Sequence, residues 1–482
     1  MESRATHVPC PLRVAAIASP GAPAVVDAGG ALTYGELDRR VEMTAEGIKK
    51  LGLGAAPRVA LYLPKDERYF VLLLALIRAG CLACLLSTRL PPRGVTPLLQ
   101  EIACRALISS DDELLGATGP NIRKLHPEKL LVGEPAARDK VQDSEPLRLA
   151  LDRPATIVFT SGSSGAPKAA LHTFGNHYYS ALGSNANIAL APGDRWLHLL
   201  PLYHVGGLSI LFRSLLAGAT VALPEPGAPL GEAITDGGAT HVSVVSTQLL
   251  RLLRNSNFER GELKAILLGG GPIAVPLVVE AAGRGLPIHT SYGLTEMASQ
   301  VTATPPGASP GELRTSGRLL PHRNISISED GEILVRGETL FTGYVEREME
   351  GLPLDAEGWF HTGDLGELDA AGYLRVRGRK DNLFVSGGEN VQPEEIEEAL
   401  CRLEGVEEVV VVPVPDAEFG SRPVAFVRTA GGEPENLTRA LEPTLQRFKI
   451  PVAFHGWPED VGGMKVDRNF FRERARWLVR EG

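Results

Sequence analysis

Two stretches of this chain alternate extended and helical runs in a way that only a parallel sheet covered by helices accommodates. In the first, Thr33-Tyr-Gly-Glu36 has the form of a capping box, and Leu37, Val41, Ala45 and Ile48 recur at helical spacing until Gly52 and Gly54. Residues 58–63 then read as a strand, 67–79 as a helix and 81–86 as the next strand. The second stretch lies between Leu197 and Pro287, where the short apolar runs 220–223, 241–245 and 265–268 are bounded by Gly or Pro. From Gly331 the texture changes to short strands at 332–335, 366–369 and 373–376, a small mixed or antiparallel sheet. Past Gly378 come a polar stretch, an acidic helix at 393–403, Val-rich strands at 409–414 and 424–429, and a final helix from Asp467. The fold class is α/β: a large N-terminal part of layered α/β sheets with a small β subdomain, then an α+β C-terminal domain. With 482 residues, 44% hydrophobic and 22% charged, the chain has core enough for several domains and is neither disordered nor fibrous.

Composition narrows the function classes. The chain carries 49 Lys+Arg against 58 Asp+Glu, a net charge of −9 without any basic block, so nucleic acid is not an expected partner. Residues 1–20 lack a signal-type apolar core, and the longest apolar run, 71–77, stops at Arg78, so membrane insertion is not expected and the cytoplasm is the expected compartment. Five cysteines do not make a disulfide framework. The close pair Cys81 and Cys84 lies in a run that reads as a buried strand, and no second pair completes a zinc site. His172 and His177 are five apart, not the four that would align two ligands on a helix face.

The sharpest local signal is an apolar run, Ile157-Val-Phe-Thr160, that passes into Ser161-Gly162-Ser163-Ser164-Gly165-Ala-Pro167-Lys168. Glycines let backbone N–H groups turn inward around an anion, hydroxyls add donors and the lysine supplies a point charge. Pro167 before the lysine rules out a Walker loop. On composition alone, a plain Ser/Gly surface loop remains as good a description.

Six further motifs follow in order: Pro201-Leu-Tyr-His204, Gly269-Gly270-Gly271, Ser291-Tyr292-Gly293-Leu-Thr295-Glu296, Thr362-Gly-Asp364, Gly378-Arg379-Lys-Asp381 and Gly463-Met-Lys465. Their order and spacing resemble the adenylate-forming acyl-CoA synthetase superfamily over nearly the whole chain. The runs 168–184, 296–300 and 386–393, with the ending Gly462-Gly463-Met464-Lys465-Val466, resemble more narrowly the o-succinylbenzoate–CoA ligases of menaquinone biosynthesis.

The resemblance implies ATP, Mg²⁺ and coenzyme A, with small molecules as partners and oligomeric state left open. A carboxylate would attack the α-phosphate of ATP, and a thiol would then open the acyl-adenylate. Thr160, Ser161, Gly162, Ser163, Ser164, Gly165 and Lys168 would hold the triphosphate, and Glu296 the metal. Gly269, Gly270 and Gly271 would lie against the adenine with Tyr292 stacked on it, Ser291, Gly293 and Thr295 would help to bind ATP and AMP, and Asp364 and Arg379 would meet the ribose. Lys465 would meet the charge that builds at adenylation, and with Thr160, Lys168 and Glu296 makes the catalytic set. His204, Arg213, Thr247, Ser299 and Gln300 would line the acid pocket, Arg213 facing a second carboxylate. Ser386, Gly387 and Gly388 would leave a passage for the thiol. The implied domains are 1–378, a hinge at 379–382 centred on Asp381, and a mobile 383–482.

Each residue also has a plainer reading. Glu296 and Lys465 are then solvated charges, Asp364 part of a turn, Tyr292 and His204 core residues, and Arg213 a side chain snorkelling to solvent. Glu394, Glu395, Glu397 and Glu398 read as the solvated face of a helix. Other aryl- or acyl-CoA synthetases, a carrier-loading adenylation domain and a nucleotide-binding paralogue without turnover are the alternative functions.

Overall fold

The computed structural model describes residues 6–131, 147–160, 167–255, 258–272, 275–345, 353–416, 418–429, 437–458 and 467–481. Both alternating stretches form parallel sheet. Helix Tyr34–Lys50 starts on the expected capping box, with Thr33 and Glu36 bonding each other's backbone N–H, and helix Glu67–Ala79 begins on Asp66 and stops at left-handed Gly80. A seven-stranded sheet has the order Gly343–Tyr344, Lys168–Thr173, Pro154–Thr160, Leu82–Leu85, Arg58–Tyr62, Ala106–Ser109, Arg123–Leu125. Its strands are parallel except Lys168–Thr173, which runs antiparallel to both neighbours.

A nine-stranded sheet is parallel from Ile288–Leu294 through Ala265–Leu268, His241–Val244, Arg195–Leu197 and Thr220–Ala222 to Pro23–Asp27. Antiparallel strands close it, with Ser299–Ala303 and Arg318–Leu319 at one edge and Gly30–Thr33 at the other. One apolar cluster joins the two sheets: Val25 and Val221 from the nine-stranded sheet meet Val59, Leu85 and Val158 from the other through Leu37, Phe70, Phe174 and Leu211 of the intervening helices. At roughly 25 cal/mol per Å² of apolar surface buried, this interlayer stabilises the N-terminal part.

The small sheet is antiparallel, in the order Arg323–Ile327, Glu332–Gly337, Phe360–Leu368, Leu374–Arg379. It begins earlier than the change of texture at Gly331 suggests, because Arg323–Ile327 is too short and polar to announce itself. The expected strand at 366–369 is the end of Phe360–Leu368.

Toward the C-terminus, strands Val406–Asp416 and Gly420–Thr429 pair antiparallel and Ala453–Gly456 joins parallel. Val409 and Val411 face Ile396 and Leu400 of helix Pro393–Cys401, while Val410 and Val412 face Phe471 and Ala475 of helix Arg468–Glu481. Both faces are covered, which explains an unbroken valine run.

That packing corrects one expectation: Glu397 is not solvated. It is buried, takes both Nη atoms of Arg468 at 2.6 Å and accepts from the Val411 N–H at 2.7 Å. Cys81 and Cys84 are buried, as a strand reading requires, and burial raises both thiols, Cys81 to about 11. No helix among the described residues is long and apolar enough to cross a membrane.

Candidate active site

The Ser/Gly loop joins two strands of a hairpin, with Thr160 and Lys168 paired across the ladder. Ser161, Gly162, Ser163, Ser164 and Gly165 lie outside the described residues. The outer neighbour of Lys168–Thr173 is the short strand Gly343–Tyr344, which sets the Lys168 ammonium 5.1 Å from the centre of the Tyr344 ring. The Tyr344 hydroxyl donates to Glu296 Oε1 at 2.6 Å, and burial, followed by the carboxylate, raises the phenol above its ordinary range. Glu296 is half-buried in the turn Thr295–Met297, so it is not the freely solvated acid of its plainer reading.

Two bonds hold that turn: the Phe341 N–H donates to the Glu296 carbonyl at 2.7 Å, and His172 Nε2 donates to the Thr295 carbonyl, also at 2.7 Å. Desolvation pulls His172 down to about 4, so it sits as a neutral imidazole.

A second group forms where Asp364 and Arg379 face each other across Phe360–Leu368 and Leu374–Arg379. Arg379 Nη1 reaches Asp364 Oδ1 at 3.1 Å and the Thr362 carbonyl at 2.9 Å. The Tyr292 hydroxyl donates to Asp364 Oδ2 at 2.7 Å. Asp364 therefore belongs to a strand and not to a turn, and Tyr292, though buried, presents its hydroxyl to that carboxylate. Ser291 Oγ donates to the Leu268 carbonyl at 3.1 Å, just before the exposed Gly270 and Gly271. A Cβ on Gly269 would lie 2.7 Å from Ser291 Oγ, so a larger residue there would have to turn that hydroxyl aside.

The third group surrounds Arg213 in helix Val205–Ala217. Its side chain is 1% exposed, which excludes snorkelling. Arg213 Nη2 donates to Ser299 Oγ at 3.1 Å, and Ser299 Oγ reaches Ser209 Oγ at 3.2 Å. The guanidinium lies 5.3 Å from the Trp196 ring centre, while Nε and Nη1 have no hydrogen-bond partner among the described residues. No carboxylate among those residues pairs with it, and burial lowers its pKa. Gln300, next to Ser299, accepts at Oε1 from Ser184 at 2.8 Å. Ala298 (φ 54°) and Ser299 (φ 147°) both carry left-handed backbone, so strain is stored where Ser299 meets Arg213.

A single segment visits all three groups. Strand Ile288–Leu294 carries Tyr292 to Asp364, the following turn carries Glu296 to Tyr344, and strand Ser299–Ala303 carries Ser299 to Arg213. Gly293 permits the reversal, since a Cβ there would lie 2.2 Å from the Ser299 carbonyl oxygen.

Other expected residues sit apart from that segment. His204 is exposed at the start of helix Val205–Ala217, its ring 4.8 Å from that of Tyr203, so the core reading fails. Thr247 is half-buried in the first turn of helix Ser246–Arg254. Ser386 is buried, and Gly387 and Gly388, with φ of 60° and 86°, form the two-residue turn between strands Phe384–Ser386 and Glu389–Val391. Asp381 is exposed and pairs with Arg379 Nη2 at 3.3 Å. Lys465 lies outside the described residues.

Tyr344, Ser209 and Trp196 carry no sequence signal of their own beyond a polar or aromatic residue among apolar neighbours, which is too common to use.

A family model described as AMP-binding enzyme matches residues 12–345, and one described as AMP-binding enzyme C-terminal domain matches 395–459. The chain belongs to the AMP-binding enzyme family. The 2-succinylbenzoate–CoA ligase of Listeria innocua is 34% identical over 464 residues, 95% of this chain and 97% of that protein. The o-succinylbenzoate CoA synthetase of Bacillus subtilis, solved with the acyl-adenylate intermediate OSB-AMP, superposes with a TM-score of 0.86 at 30% identity, over 97% of this chain and 98% of that one. A complex of the Bacillus subtilis synthetase with ATP and magnesium ion gives a TM-score of 0.83 at 31% identity, over 94% and 96%.

Proposed function

We propose that this chain ligates o-succinylbenzoate to coenzyme A through an acyl-adenylate, as a step of menaquinone synthesis in the cytoplasm, where ATP and coenzyme A are at hand. The observation that carries this reading is Arg213, a buried guanidinium with two unpartnered nitrogens and no acidic neighbour among the described residues. An anion would stabilise such a cation, and o-succinylbenzoate has a carboxylate to spare for that while the other reacts. The relatives named for this acid support the same reading.

One carboxylate oxygen of the acid attacks the α-phosphorus of ATP, and the bond to the β-phosphate bridging oxygen breaks to release pyrophosphate. The thiol of coenzyme A, losing its proton, then attacks the acyl carbon, and AMP leaves with the oxygen that came from the acid. Neither step needs a protein nucleophile, only alignment and charge. Thr160 and Lys168, with Ser161, Gly162, Ser163, Ser164 and Gly165, would hold the phosphates. Asp364 would accept from the ribose hydroxyls while Arg379 and Tyr292 keep it oriented, and Gly269 to Gly271 with Ser291, Gly293 and Thr295 would receive the adenine. His204, Thr247, Ser299 and Gln300 would complete the wall around the acid.

Glu296 suits Mg²⁺, which takes one or two carboxylates and fills its other positions with water and phosphate oxygens. Bound there, Mg²⁺ would offset the negative charge of the triphosphate. Among the described residues, the Tyr344 hydroxyl takes one Glu296 oxygen and leaves the other uncommitted. Lys465 would reach the α-phosphate during the first step. We further propose residues 1–378 and 383–482 as two domains that turn about 379–382, exchanging Lys465 for Ser386, Gly387 and Gly388 in the second step.

The test is pyrophosphate release and thioester mass with ATP, Mg²⁺, coenzyme A and a panel of acids. Strong preference for o-succinylbenzoate over benzoate and fatty acids is expected. Equal turnover of monocarboxylates would move the chain to another acyl-CoA synthetase, and acyl transfer to a carrier protein but not to coenzyme A would make it a carrier-loading enzyme.

A further inference from the structure

A second guanidinium stands behind the Arg213 group. Arg323, in the first strand of the small sheet, is 4% exposed, and like Arg213 it has no ion-pair partner among the described residues. Its donors end on neutral oxygens: Nε on the Gln300 carbonyl at 2.6 Å, Nη1 on the Pro321 carbonyl at 2.6 Å, and Nη2 on the Ser180 carbonyl at 3.1 Å and Ser180 Oγ at 3.3 Å. Helix Phe174–Asn187 is built to admit it, since a Cβ on Gly183 would lie 2.1 Å from Arg323 Nη1.

Carbonyl dipoles satisfy the hydrogen bonds of Arg323 without cancelling its charge, so two positive charges share one buried region. Burial lowers the pKa of Arg323, and the charge of Arg213 adds to that effect. The two guanidiniums connect through adjacent residues: Arg323 holds the Gln300 carbonyl, and Arg213 holds the Ser299 hydroxyl.

We infer that Arg323 is a specificity-determining residue of the acid site: its uncompensated charge selects acids that bring a second negative charge to Arg213. Resting as it does on the reading of Arg213 given above, the inference adds a residue that does not touch the acid and acts through potential and through the placement of Ser299 and Gln300. A lone Arg213 would bind a carboxylate and reach neutrality. With Arg323 behind it, the region keeps one positive charge even after that carboxylate binds and so favours the dianion further. The fork of Arg323 cannot be filled by substrate, because its nitrogens are taken by protein carbonyls.

The experiment compares kcat/KM for o-succinylbenzoate with that for analogues lacking one or the other carboxylate, in the wild type, Arg323→Lys, Arg323→Gln and Ser180→Asp. Ser180→Asp keeps the guanidinium and places a carboxylate against Nη2, so it neutralises the charge even if Arg323→Gln does not fold. Discrimination between the dicarboxylate and its best analogue should fall about tenfold in Arg323→Gln and in Ser180→Asp, mainly through KM of the dicarboxylate, with Arg323→Lys in between. Equal losses for both kinds of acid, in the folded variants, would overturn the inference and leave Arg323 as a packing residue. Undiminished discrimination in Ser180→Asp would overturn it too. If the wild type itself shows no preference for the dicarboxylate, the reading of Arg213 fails with it; if only the variants behave as wild type, Arg213 stands and Arg323 does not.

Discussion

A guanidinium sealed from water without a counter-ion costs several kcal/mol, and Arg213, which has none among the described residues, is retained in spite of that cost. Removing it should separate stability from function. Arg213→Met should leave the ligand-free protein at least as stable as wild type, with a melting temperature unchanged or raised, while kcat/KM for o-succinylbenzoate falls by ~10² or more. A large loss of melting temperature with little loss of activity would make Arg213 structural. Tyr344 offers a finer case, because its hydroxyl fixes Glu296 without displacing it. Tyr344→Phe should raise KM for Mg·ATP about tenfold and leave folding unaffected, the scale of one hydrogen bond to a charged group. Titrating Mg²⁺ at fixed ATP checks this, and an unshifted Mg²⁺ dependence would contradict it.

Among the elements, those that announce themselves are those closed by local chemistry. Helices Tyr34–Lys50 and Glu67–Ala79 carry their caps and stops within a few residues, and the parallel strands are bounded by Gly or Pro. What stays hidden depends on distant partners. Tyr344 meets Glu296 across 48 positions and His172 meets Thr295 across 123, so no window contains both members of either pair. Glu397 was misread for the same reason: on a helix rich in glutamates it looks like its neighbours, and only Arg468, 71 positions on, makes it a buried ion. The motif residues of the candidate site stand out in the sequence because hydroxyls, glycines and charges in one short run carry chemistry, yet the gathering of three groups along one strand-turn-strand segment does not.

The Glu397 and Arg468 pair also predicts how the C-terminal elements respond. Glu397→Ala leaves the half-buried Arg468 only its longer 3.3 Å pair with Glu394 and should cost about 3 kcal/mol in denaturant unfolding, whereas Glu397→Leu with Arg468→Met should recover part of that loss. Equal destabilisation by the single and double variants would show that the ions contribute through something other than mutual neutralisation.

For the molecule as a whole, burial of uncharged histidines couples stability to pH. His172 is lowered to about 4 and His198 to about 3, both first by desolvation, and His177 is held well below its ordinary 6.5 for the same reason. A base with a depressed folded pKa takes up protons in the unfolded chain first. Stability is therefore complete above pH 6.5 and falls as pH drops, for His172 until about pH 4. Each such histidine steepens the fall by about 1.4 kcal/mol per pH unit, or about 3 kcal/mol for His172 over its window. Urea unfolding at pH 7, 6 and 5 should show the slope, and His172→Gln should flatten it; identical slopes in the two proteins would contradict the assignment.

The central claim is that one site joins an acid to the α-phosphate before passing it to a thiol, and the oxygen atoms record whether it does. With o-succinylbenzoate carrying ¹⁸O in its carboxylates, unlabelled ATP, Mg²⁺ and coenzyme A, the AMP produced should carry one ¹⁸O for each thioester formed, with unlabelled pyrophosphate. Unlabelled AMP, or label in phosphate released alongside ADP, would show that no acyl-adenylate lies on the path and would contradict the account.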